Sequence, residues 1–188
     1  MKRRPPSPGK TDVFELRPVG ARALKSAIDT LRPYLYGAKV LDLYAGQGRF
    51  GLSSLAEGAT MVRFVEKSKE TARALTKTIP KGADAYVVAT DVLQYLDEAP
   101  SDAKFDLIFC DPPFPIWEDE SVVNSLTQGM IRLASPDGIL LVKHPSRMVL
   151  SARFHGYPLW KEKSFGESIL YFFRGEADFS VDEVDGQT

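Results

Sequence analysis

The chain is 188 residues long, 44% hydrophobic and 26% charged, with a formal net charge of −1. Those values suit one globular domain with a full core and argue against a strongly basic nucleic-acid binder. The single cysteine, Cys110, excludes an internal disulfide framework, and no apolar run approaches the roughly 18–20 residues that span a bilayer.

The first ten residues, MKRRPPSPGK, hold four bases, three prolines and a glycine. They carry the charge of a signal n-region without the apolar segment that must follow, which places the protein in the cytoplasm. Residues 1–13 read as a flexible basic arm that can lie along phosphates. Residues 14–175 read as one domain. Residues 176–188 hold five acids and no base and read as a flexible, solvated acidic tail; without those five charges the net −1 becomes +4.

The pattern predicts a helix over 19–35, with Leu24, Ala27, Ile28 and Leu31 at helical spacing. A strand follows over 39–44 and runs into Ala45-Gly46-Gln47-Gly48, then a helix over 49–57 that stops at Gly58. Strands over 60–66 and 86–89 alternate with helices over 69–79 and 92–98. A strand over 105–110, a helix over 119–134 and a strand over 138–143 come next, and 160–164 with 168–174 form a hairpin. Strand–helix alternation at this spacing implies a mostly parallel sheet with helices on both faces, and the hairpin adds an antiparallel pair at one edge. Cys110 lies in an apolar strand and reads as a small buried residue, with a catalytic thiol disfavoured.

In such sheets ligands bind beyond the carboxyl ends of the strands, where strand order reverses. Asp42, Tyr44, Ala45, Gly46 and Gly48 stand at the end of the first strand. Gly46-x-Gly48-x-x-Gly51 matches a dinucleotide fingerprint, and Glu66, at the end of the second strand beside Lys67, can accept both hydroxyls of a ribose. Nicotinamide and S-adenosylmethionine sites share that arrangement. Asp42 separates them, because a carboxylate beside two phosphates is unfavourable and one beside an ammonium and a sulfonium is favourable. Asp91, at the third strand's end, suits an adenine amino group with the Val92 N–H as companion donor; an N-cap of the next helix is the plain alternative.

After the strand over 105–110 come Asp111-Pro112-Pro113-Phe114. The prolines fix φ and lack N–H donors, so the turn is stiff and its carbonyls are free to accept. Asp111 and the Pro112 carbonyl can take the two protons of an exocyclic amine while Phe114 stacks on the ring. A proline turn with no chemistry accounts for the tetrapeptide equally well by itself.

Together these residues resemble the class I S-adenosylmethionine-dependent methyltransferases. Leu41-Asp42-Leu43-Tyr44-Ala45-Gly46-Gln47-Gly48 is similar to their first motif and Asp111–Phe114 to the amino-methyltransferase motif. More narrowly the chain resembles the RsmD family through Leu16-Arg17-Pro18, Ala45–Leu52, Glu57-Gly58-Ala59 and Asp111–Phe114. The resemblance implies a Rossmann-like fold with a seven-stranded sheet, S-adenosylmethionine as cofactor, and methyl transfer to N2 of a guanine in small-subunit (16S) ribosomal RNA. After Pro18 the chain departs from that family: Val19, Gly20 and Ala21 replace two threonines and an aspartate, and Leu24 and Lys25 replace an Arg and a Glu.

Asp111, Pro112, Pro113 and Phe114 are therefore the candidate catalytic residues. Asp42, Tyr44, Ala45, Gly46, Gly48, Glu66, Lys67, Asp91 and Val92 are candidates for cofactor binding, and Arg17, Arg22, Lys143 and Arg147 for contact with nucleic acid. No Cys/His cluster suggests a metal. The expected partner is ribosomal RNA or the small subunit, with no membrane partner and a monomeric protein. Three other functions compete: DNA adenine-N6 methylation, nicotinamide-dependent oxidoreduction, and RNA binding by a catalytically silent relative. DNA enzymes usually carry extra sequence for reading DNA, and neither His144 nor His155 sits in a dehydrogenase motif.

Overall fold

The computed structural model describes residues 18–150 and 154–176. Arg17 and residues 1–13 lie outside the described residues, as does the acidic tail beyond Glu176. Seven strands form one sheet: β1 (Lys39–Leu43), β2 (Met61–Val65), β3 (Ala85–Val88), β4 (Phe105–Cys110), β5 (Ala134–Pro145), β6 (Leu159–Phe165) and β7 (Ser168–Arg174). Their order is β3-β2-β1-β4-β5-β7-β6. The first five strands pair in parallel, and β7 is antiparallel to both β5 and β6. The expected architecture, including the edge hairpin, is what forms.

The central strands are apolar on both faces because helices cover both. Ala27, Ile28, Leu31 and Leu35 of α1 (Pro18–Leu35) and Phe50 of α2 (Arg49–Ala56) pack with Val40, Val62, Phe64, Leu107 and Leu141. On the other face α4 (Val92–Glu98) and α5 (Glu120–Leu133) set Leu96, Leu126 and Met130 against Leu41, Ile108 and Leu140. α3 (Lys69–Thr76) contributes Leu75 to the first layer. Adjacent strand residues thus serve opposite cores, the strand period of two acting on a sheet buried twice. Leu31 and Leu35 have no exposed surface, and burying each contributes about 1.5–3 kcal/mol.

Three local differences from the sequence expectations have physical causes. α3 stops at Thr76, where Lys77 and Thr78 bond back to Ala74 and Leu75 in a tightened turn. β5 begins at Ala134, directly after α5, because Ala134 already pairs with Phe105 across a register shift in β4. Residues Phe114–Glu118 form a 3-10 turn, pinned by the Ile116 N–H on the Pro113 carbonyl and by buried Trp117.

Candidate active site

β1 pairs with β2 on one side and β4 on the other, so successive connections leave β1 in opposite directions. The carboxyl ends of β1 and β4 flank that reversal, and a cavity of about 790 Å³ opens there. Its walls include Asp42 near the end of β1, Tyr44, Ala45 and Gly46 just after it, Phe109 and Asp111 at the end of β4, and Lys143 on β5. Sequence periodicity does not reveal the opposite wall: the first half of α1 presents Gly20, Ala23, Leu24 and Ala27. Period two would have marked Phe109, which shares a face with Asp111 and stacks on Phe50 at 4.3 Å.

The loop after β1 is held by its own backbone. The Ala45 N–H donates to Val65 O (3.0 Å) and the Gly48 N–H to Ala45 O (2.7 Å). Tyr44 adopts φ +56°, the one positive value for a non-glycine among the described residues. A bulky side chain there is strained, and such strain collects where the chain is shaped for a ligand. Gly51 acts through packing instead, since a Cβ on it would drive into the Phe64 ring, so only glycine lets α2 press against β2.

Asp42 is 2% exposed, and its Oδ2 accepts the Gly51 N–H at 2.9 Å. Burial pushes its pKa up to about 8; the Gly51 hydrogen bond opposes this, while the charges of Asp111 and Glu66 add to it. The carboxyl is thus a buried acid facing a cavity, and among the described residues no cation pairs with it. Glu66 accepts from the Gly46 N–H (2.8 Å) through Oε2 and from the Ser68 N–H (2.7 Å) through Oε1. It ties the loop after β1 to the loop after β2 while keeping spare lone pairs.

Asp91 has the capping role that its sequence position left open. Its Oδ1 accepts the Leu93 N–H at 2.9 Å, and its Oδ2 takes Lys67 Nζ at 3.1 Å. Burial raises its pKa, but the Lys67 ammonium and the N–H groups of Leu93 and Gln94 prevail and hold it below the ordinary value. Glu66, Asp91, Lys67, Val92 and Gly48 lie outside the cavity lining, and Val92, the first residue of α4, is buried.

Asp111-Pro112-Pro113-Phe114 leads out of β4 with Pro112 buried and Phe114 37% exposed. The Pro113 carbonyl is taken by Ile116, whereas among the described residues none donates to that of Pro112. Lys143 Nζ meets Asp111 Oδ2 at 2.9 Å, and the Arg147 guanidinium lies 5.6 Å from the Phe114 ring centre. Two of the cations expected to touch nucleic acid thus surround the tetrapeptide. Arg22 is on the exposed face of α1, outside the lining. Behind the turn, buried Trp117 packs edge-on to the imidazole of His144 at 4.7 Å. Burial lowers the His144 pKa, against the backbone hydrogen bond at Pro145. Cys110 is fully buried, and burial drives its thiol pKa far up, as a structural cysteine requires. No group of three or more His, Cys, Asp or Glu among the described residues is placed to hold a metal.

Sheet order, the glycine loop beside a buried acid, and an Asp-Pro-Pro-Phe turn at the neighbouring strand end define a class I methyltransferase fold. The family model described as "Conserved hypothetical protein 95" matches residues 9–174, and the chain belongs to that family. It is an RsmD-like S-adenosylmethionine-dependent methyltransferase, as the sequence motifs implied. "Ribosomal RNA small subunit methyltransferase D" of Haemophilus influenzae is 28% identical over 155 residues, 80% of this chain and 79% of that protein. Its namesake from Escherichia coli K12 is 26% identical over 180 residues, 95% and 86% of the two chains. The solved structure of the "Putative methyltransferase yhhF" of Escherichia coli superposes with a TM-score of 0.74 at 24% identity, covering 88% and 90%.

Proposed function

We propose that the protein transfers a methyl group from S-adenosylmethionine to an exocyclic amine of a nucleobase, N2 of a guanine in small-subunit (16S) ribosomal RNA. The observation that carries this is that Asp111, which opens the Asp-Pro-Pro-Phe turn, lines the same cavity as Asp42 at the strand-order reversal. The donor fits the residues present. A buried carboxyl facing a cavity suits a cation, and about 790 Å³ is ample for a nucleoside-sized ligand. Asp42, Tyr44, Ala45 and Gly46 would hold it, with Glu66, Lys67, Asp91 and the Val92 backbone N–H engaging it from beyond the cavity lining and Gly48 shaping the loop. Its sulfonium supplies an electrophilic methyl group. A pyrophosphate would meet Asp42 at the same place, which disfavours a nicotinamide cofactor.

The chain's own groups handle the target. Asp111 Oδ1 and the Pro112 carbonyl accept the two amine protons, so the nitrogen lone pair turns out of conjugation with the ring. The two prolines hold that geometry in advance, and the contribution is one of position and electrostatics. Phe114 offers its exposed face to the base, which must be unpaired or flipped out to reach it. Arg147, and Arg17 and Arg22 near the start of α1, would meet backbone phosphates. The protein would act as a cytoplasmic monomer: a single domain over residues 14–175 between a basic arm and an acidic tail. No helix among the described residues is long and apolar enough to cross a membrane.

Labelled methyl transfer to undermodified small subunits, free RNA and DNA tests this, with Asp111→Ala as the control. Expected are N2-methylguanosine on the ribosomal substrate and its loss in Asp111→Ala with S-adenosylhomocysteine affinity kept. Turnover on DNA alone, or retained turnover in the variant, refutes it.

A further inference from the structure

We infer that Lys143 determines which way round the target base sits, by donating a hydrogen bond to the ring nitrogen next to the methylated amine; for guanine that nitrogen is N3. The inference rests on the guanine reading above and adds a residue that reads the base.

Register places Lys143 here. Cys110 pairs with Val142, so the next residues along the parallel strands, Asp111 and Lys143, emerge side by side. Their 2.9 Å ion pair is partly buried, with 27% of the Lys143 side chain and 35% of the Asp111 side chain exposed, and both line the cavity. An ammonium has three donors. One is spent on Asp111 Oδ2, and among the described residues the others have no partner. Asp111 Oδ1 is likewise unengaged among the described residues. The pair therefore shows the cavity an acceptor and a donor next to each other. A phosphate-binding lysine would sit on the exposed rim; this one is held against the residue that takes the amine.

The edge that matches is an amine beside a bare ring nitrogen. Guanine has N2–H donors flanked by N3, an acceptor, on one side and N1–H, a donor, on the other. With N2–H on Asp111 and N3 on Lys143, the acceptor and the donor of the protein pair are both matched. Turned over, the base would push N1–H against the ammonium and leave both donors unmatched, a polar mismatch that such sites reject strongly. Adenine gives no such distinction, since its N6 amine has acceptors, N1 and N7, on both sides. The Asp111–Lys143 edge is thus asymmetric in the sense that guanine needs.

The test crosses an enzyme variant with a base analogue. Small subunits are reconstituted with ribosomal RNA carrying guanosine or 3-deazaguanosine at the position mapped by nucleoside mass spectrometry. Wild type and Lys143→Met are compared on each, with S-adenosylhomocysteine affinity measured in parallel. A hydrogen bond from a charged donor is worth about 10- to 100-fold, so wild type should lose that factor on the analogue. Lys143→Met should lose a similar factor on guanosine and little more on the analogue, with cofactor affinity unchanged. Losses that simply multiply assign Lys143 to charge balance alone and overturn the inference. A Lys143→Met protein that no longer binds S-adenosylhomocysteine overturns it as well, by making the residue structural. Wild type that leaves the guanosine subunits unmethylated refutes the guanine reading itself, and the inference falls with it.

Discussion

Replacing Asp42 by Asn should change how the protein's stability depends on pH. In the native state burial holds the Asp42 carboxyl protonated up to about pH 8, whereas in the unfolded chain it ionises near pH 3.9. Between those values the native state binds the extra proton, so unfolding releases it and stability falls as pH rises. The contribution is fully present below about pH 4 and gone above about pH 8. From pH 6 to pH 9 the loss spans about two pH units, since it saturates near 8, and amounts to about 3 kcal/mol. For a domain of this size that lowers Tm by about 6–12 °C. An Asn side-chain oxygen can still accept the Gly51 N–H but never ionises, so Asp42→Asn lacks this component. His144, with its pKa lowered, works in the opposite sense as pH falls, and it cancels because both proteins contain it. Thermal unfolding of the two proteins at pH 6, 7, 8 and 9 measures the gap directly. A Tm difference that stays constant across that range would refute the account of Asp42 as a buried, natively protonated acid.

Other outcomes follow from the same geometry. At pH 7 S-adenosylmethionine should displace about one proton from wild type and almost none from Asp42→Asn, read by calorimetry in buffers of different ionisation enthalpy; equal release in both proteins would count against Asp42 facing the cation. Gly51→Ala forces a methyl group into the Phe64 ring and to 2.8 Å from Val62, so it should cost about 1–3 kcal/mol and a Tm drop of about 3–10 °C. An unchanged Tm would mean that α2 does not press on β2. Phe114→Ala should weaken capture of the target by about 5- to 100-fold through lost stacking, at unchanged S-adenosylhomocysteine affinity. A loss of cofactor affinity instead would move Phe114 out of the base pocket.

Much of the fold was legible because parallel strands buried on both faces leave short apolar runs, and helices between them leave a period of 3.6. Asp42, the glycine loop and Asp111–Phe114 were equally plain, since strand ends can be counted from sequence. Pairings across the sheet left no such trace. Lys143 and Asp111 are 32 residues apart and meet because of the register of β5 on β4. Likewise, α1 reads as an ordinary amphipathic helix, and only its packing beside α2 against the sheet turns Gly20, Ala23 and Leu24 into a cavity wall. Asp91 shows a third kind of limit: capping and ligand binding favour the same residue at the same helix start, so sequence could not separate them.

The contact between Trp117 and His144 gives the protein an optical readout of its own. The chain has two tryptophans: Trp117 is locked in the turn that follows Phe114, and Trp160 is 36% exposed on the outermost strand. With Trp160 changed to Phe, all remaining indole emission would come from a ring that touches an imidazole and shares a rigid turn with Phe114, the residue proposed to stack on the base. Docking of RNA at Phe114 could then be timed in a stopped-flow cell without attaching any dye, before a single methyl group has moved.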